Sequence, residues 1–231
     1  MFGLDEWLAG VSDGGSIAIV VLVATLLGLR HATDPDHLAA VSTLVVSGRE
    51  RAARAAAGLG AAWGLGHAVT LIAFGVPVLL ADHYLPAVVQ RGAETTVAAL
   101  IAFLAVRLLV RWRHGAFAAT PLEHDGHRHP VRTPAGAFAI GLVHGMGGSA
   151  GVGVLLLAAV PSRTVALAAL VVLAICTAVS MTIVTTGFGA VLSVRRMDGV
   201  LAAAAPVLAV SSLAFGLWYA AAAWSLAPYP F

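Results

Sequence analysis

The sequence predicts an all-α integral membrane protein with six transmembrane helices. Composition comes first: of 231 residues, 60% are hydrophobic and 10% charged, where ordinary soluble domains carry about 45 to 50% and about 25%. The mean hydropathy of +0.94 agrees, and a soluble globule is excluded. Patterning comes second. The 13 basic residues are all arginine and sit in small clusters, separated by long runs without charge. A hydrocarbon core about 30 Å thick takes about 20 apolar residues per helix.

The charge-free runs are 14–29, 55–81, 95–106, 135–162, 164–194 and 199–231. The third is short, but residues 108–110 extend it, and Arg107 and Arg111 can reach an interface on their long stems. Arginine near span ends marks the cytoplasmic side. That rule places Arg49, Arg51 and Arg54, then Arg111, Arg113, Arg128 and Arg132, then Arg195 and Arg196 inside. Outside lie the acidic start (Asp5, Glu6, Asp13), the segment 82–91, Arg163 and an aromatic end with Trp218, Tyr219, Trp224 and Tyr229. Both termini are thus expected outside. The net charge of +2 reflects cytoplasmic loops rather than affinity for nucleic acid. No cleavable signal is evident in MFGLDEWLAG. The single cysteine, Cys176, can build neither a disulfide framework nor a thiolate metal site within one chain.

Two short strings recur. GLRH at 28–31 returns as GLVH at 141–144, an offset of 113, and AVT at 68–70 is echoed by AVS at 178–180, an offset of 110. Two halves of three spans are implied, residues 1–112 and 135–231, around a His-rich cytoplasmic loop at 113–134. Three being odd, the halves would have opposite orientation, the inverted-repeat plan of many secondary transporters. Chance recurrence of short apolar strings is the competing explanation.

Ionisable groups at membrane depth are costly and mark function. The densest set is RHATDPDHLAAV at 30–41, with His31, Asp34, Asp36 and His37. In one regular helix His31, Asp36 and His37 would diverge, because five or six steps of about 100° do not return to one face. Pro35 predicts a break: it disfavours helix at Asp34 and lacks a donor, while Asp-Pro is a good cap and first-turn pair. The break folds His31 back toward Asp36 and His37, and capping alone accounts for Asp34. His67, in AWGLGHAVTLIAFG, is the one ionisable residue of 55–81 and is flanked by glycines that permit close helix approach. It fits a ligand or a hydrogen-bonded core histidine. His144, in GLVHGMGGSAGVG, fits a ligand, a donor behind the ligands or a gate, with its glycines serving tight packing or a second break.

Imidazoles with one or two carboxylates and no thiolate suit nickel, cobalt or zinc. Calcium or magnesium would take more oxygen ligands. In the loop, EHDGHRH at 123–129 places His124, His127 and His129 beside Glu123 and Asp125, a composition that binds metal or is simply solvated. There is no phosphate-binding glycine loop and no lysine, so ATP-driven pumping by this chain is not expected. No segment is long enough for a soluble catalytic domain, and no resident cofactor or enzyme activity is expected.

His31, four residues on Asp36-His37, with Arg30 before them and Leu65-Gly66-His67-Ala68-Val69-Thr70 in the next span, resemble the signature of the nickel/cobalt permease superfamily. The resemblance covers residues 16–80. Further on, where longer permeases carry an acidic motif, the chain reads VHGMGGSAG at 143–151, which is similar to the shorter branch found with urease genes. The resemblance implies uptake of nickel or cobalt ions across the bacterial cytoplasmic membrane, with His31, Asp36, His37 and His67 as ligands. It also implies the lipid bilayer and cytoplasmic metallochaperones as partners. Two other readings stand beside it: a metal exporter or proton exchanger, and a membrane di-iron enzyme, which would carry more regularly spaced histidines.

Overall fold

The computed structural model describes residues 17–46, 53–81, 86–115, 133–147, 149–192 and 198–229. Among them are eight helices and no strand: α1 (Ile17–His31), α2 (Pro35–Val46), α3 (Ala53–Ala81), α4 (Ala87–Arg113), α5 (Pro134–His144), α6 (Ser149–Ala158), α7 (Arg163–Leu192) and α8 (Asp198–Ala223). Local chemistry sets several ends. Thr133 caps α5 by accepting the Gly136 N–H at 3.0 Å, with Pro134 in the first turn. Helix α4 stops at Gly115, whose φ of +71° only glycine adopts cheaply.

Helices α3, α4, α7 and α8 each hold a stretch long and apolar enough to cross a membrane. Helices α1 and α2 meet the same test as a pair, bent by 44° at their break. Among the described residues the chain thus holds four helices, or five spans counting the bent pair, that by length and composition suit a helical membrane protein. The remaining expected span, 135–162, corresponds to α5 with α6, and α5 is an apolar helix of only 11 residues. The loop histidines His124, His127 and His129 lie outside the described residues. Helix α4 departs from expectation by starting at Ala87, so Arg91 belongs to it rather than to the outer segment 82–91, and Glu94 lies within its first two turns.

The core is a crossing of α3 and α7, held close by glycine. A Cβ on Gly64 would stand 2.8 Å from the Ala178 carbonyl oxygen, and one on Gly75 would stand 2.9 Å from the Leu170 methyls, so the helices run antiparallel. Helix α5 lies along α3 and α1 along α7, while α4 packs on α8. These pairings echo the sequence offsets. The Thr70 hydroxyl donates to the Leu142 carbonyl at 2.9 Å, and the Ser180 hydroxyl donates to the Leu29 carbonyl at 2.6 Å. Thr70 and Ser180 are the counterparts in AVT and AVS, and Leu29 and Leu142 those in GLRH and GLVH. Two buried apolar clusters flank the middle of α3: Ala68, Leu71, Val78 and Leu79 join one with α6 and α7, and Leu59 and Trp63 join the other with Val41, Leu104, Ile140 and Met181. His67 stands between them.

Candidate metal centre

The break between α1 and α2 is built by backbone turns. The N–H groups of Thr33 and Asp34 reach back to the carbonyls of Arg30 and His31 at 2.9 and 3.1 Å, and Pro35 opens α2. Asp34 occupies the cap position, its carbonyl accepting the Leu38 N–H at 3.0 Å. Its carboxylate lies 3.3 Å from Arg30 and 3.4 Å from His31 Nδ1. Asp34 thus stands behind the His31 ring and orients it, as carboxylates do for metal-bound imidazoles.

The turn brings His31 and His37 together with their ring centroids 4.4 Å apart. Helix α3 contributes His67, whose Nε2 lies 3.0 Å from His31 Nε2 and whose ring centroid is 5.0 Å from that of His37. The end of α5 contributes His144, 4.4 Å from His37 between centroids. Glycine makes that approach possible, since a Cβ on Gly145 would stand 2.7 Å from the His67 carbonyl oxygen. Asp36 sets the His37 ring: its Oδ1 accepts the His37 backbone N–H at 3.0 Å and lies 3.0 Å from Nδ1. Its other oxygen, Oδ2, is 3.5 Å from His144 Nε2.

All five side chains are buried, with exposure from 0 to 7%. Buried polar atoms are ordinarily hydrogen-bonded. Here Asp36 Oδ2, His37 Nε2, His67 Nδ1 and both ring nitrogens of His144 have no hydrogen-bond partner. Two overlapping sets offer ligand atoms within 4.8 Å of one another: His31, His37 and His67, and Asp36, His37 and His144. An ion with bonds of about 2.1 Å holds ligands up to roughly 4.2 Å apart, so small side-chain rotations close either set. The donors are nitrogen-rich with one carboxylate and no thiolate, which suits nickel, cobalt or zinc.

All four residues of the primary sequence assignment, His31, Asp36, His37 and His67, come together, and His144 joins them. Asp34 enters neither set. The exposed His114 ends α4. Three residues went unnoticed in the sequence. Trp63 lies under the cluster, its ring 5.7 Å from His37 and 5.8 Å from His144. Thr177 is fully buried with its hydroxyl unpartnered. It stands 110 residues after His67, so the AVT/AVS offset already pointed to it. The third is Glu94, 4% exposed on α4. Its signal was helical periodicity, because it shares one buried stripe with Val97, Ala98, Ile101, Leu104 and Leu108.

No protein-family model and no solved structure matches the chain. Among curated proteins, the urease accessory protein UreH of Bacillus sp. (strain TB-90) is similar, 27% identical over 143 residues, 60% of this chain and 62% of the relative. The chain thus matches about six tenths of the length of that relative.

Proposed function

We propose that the chain is a secondary permease that carries nickel, or cobalt, into the cell, with the ion bound as cargo among His31, Asp36, His37, His67 and His144. The observation that carries this reading is the set of buried nitrogen and carboxylate atoms around His37 that make no hydrogen bond within the protein. Unsatisfied buried polar atoms cost about 1 to 3 kcal/mol each, a cost that a bound cation removes. Similarity to a protein named as a urease accessory protein favours nickel, since the motif resemblance links nickel permeases to urease genes.

The counterpart hydrogen bonds of Thr70 and Ser180 support two inverted halves, whose relative rocking would expose the centre to either side. With six spans and both termini outside, the ion sheds most of its water on the outer side and leaves toward the loop histidines and cytoplasmic metallochaperones. A membrane potential negative inside favours inward movement of a divalent ion by about 4.6 kcal/mol per 100 mV, so no ATPase is required. Liposomes holding the purified chain are expected to accumulate radiolabelled nickel under such a potential, in preference to magnesium. Accumulation no faster than in empty liposomes overturns the proposal.

A further inference from the structure

Glu94 lies seven residues into α4, about 10 Å from its first residue. His67 lies fourteen residues, about 21 Å, before the end of α3, the helix that precedes α4 in the chain. The carboxylate is thus at intermediate depth, on the side that the arginine pattern places outside. A carboxylate buried within a span is costly and normally functional. Two protein groups attend it, the Tyr229 hydroxyl at 2.8 Å and the Gln90 amide at 3.0 Å, and both donate to the same oxygen, Oε1. Oε2 receives neither.

Glu94 also touches the machinery of the centre. A Cβ on Gly147, three residues after His144, would stand 3.2 Å from the Glu94 Cα, so the break between α5 and α6 rests on this turn of α4. Tyr219 packs with Ala39, one turn beyond Asp36, and with Val97 and Ala98, one turn beyond Glu94.

Resting on the permease reading, we propose that Glu94 is a second, outer cation station, where its carboxylate, positioned by Tyr229 and Gln90, holds the divalent ion before it passes to the imidazoles. Oxygen donors suit an ion that still keeps part of its water. Nitrogen donors then take over at the inner centre. The competing role for Glu94 is to anchor the segment 224–229, which is also tied to α4 by the Trp224 indole N–H donating to the Thr95 hydroxyl at 3.1 Å.

The test combines nickel uptake into liposomes over a range of external nickel with equilibrium nickel binding to the purified full-length chain. Glu94→Gln keeps the shape and loses the charge. Its half-saturating nickel concentration is expected to rise about tenfold, while nickel binding at the imidazoles persists. Tyr229→Phe removes the tether but keeps the carboxylate, so the rise there is smaller. The station is overturned if Glu94→Gln transports like the wild type, if both variants shift equally, or if Glu94→Gln loses the inner nickel as well. A wild-type chain that carries no nickel overturns the permease reading and the station with it, so the two failures are distinguishable.

Discussion

His37→Ala is expected to abolish nickel uptake, lowering it by about 100-fold or more. His37 is the one residue common to both candidate ligand sets. Its ring lies within 4.4 to 5.0 Å of those of His31, His67 and His144, so its loss leaves no complete set of three. Asp36→Ala removes the carboxylate oxygen facing His144 and the one that fixes the His37 ring, and a loss of similar size is expected. Asp34→Asn tests the geometry from the other side. Asp34 acts on His31 from behind, so its loss is expected to weaken uptake about tenfold rather than end it. Uptake of radiolabelled nickel by equal amounts of each purified variant, with melting temperatures to confirm folding, measures all three. Undiminished transport by His37→Ala removes the cluster from the transport path.

The largest structural effect is expected from Gly141→Val. Helices α3 and α5 touch backbone to backbone: a Cβ on Gly141 would run into the Trp63 carbonyl oxygen and stand 2.9 Å from the His67 nitrogen. Both are main-chain atoms of a helix and cannot rotate away. Overpacking a well-fitted core costs about 1 to 3 kcal/mol, and a contact with rigid backbone belongs at the upper end or beyond. Gly28, the counterpart of Gly141 at the offset of 113, faces the Leu173 carbonyl oxygen and Cys176 Cβ at 2.7 Å. Gly28→Val should therefore be comparably damaging. Gly58→Ala and Gly187→Ala supply the contrast, because a Cβ at either position meets nothing within 4 Å. Both should be neutral or slightly stabilising, since alanine is the better helix former by about 1 kcal/mol. Melting temperatures in detergent discriminate the pairs, and equal stability of Gly141→Val and Gly58→Ala contradicts the close crossing.

Much of this was legible in the chain because lipid makes charge conspicuous. Scarce ionisable groups against an apolar background singled out His31, Asp36, His37 and His67, and the chemistry of Asp34-Pro35 located the break to the residue. The geometric roles of Asp34 and His144 were not legible. A cap and an ion-pair partner use the same residue type, and only the tertiary turn shows that the Asp34 carboxylate faces His31. His144 depends on how closely α5 approaches α3, which Gly66, Gly141 and Gly145 permit but do not by themselves reveal. Glu94 was missed for another reason. Reading spans as charge-free runs ends each helix at its first charge, so a run that begins at Thr95 leaves Glu94 just outside the span that in fact contains it. The buried stripe through Val97, Ile101 and Leu108 was the better guide. The charge-free run 135–162 reads as one span, whereas α5 ends at His144 and α6 begins at Ser149.

Anomalous scattering at the nickel edge from crystals of the nickel-loaded chain tests the central claim most directly. The account predicts a peak beside His37, about 2.0 to 2.2 Å from ligand atoms drawn from His31, Asp36, His37, His67 and His144. A peak confined to the loop histidines His124, His127 and His129, with none among the buried imidazoles, contradicts it.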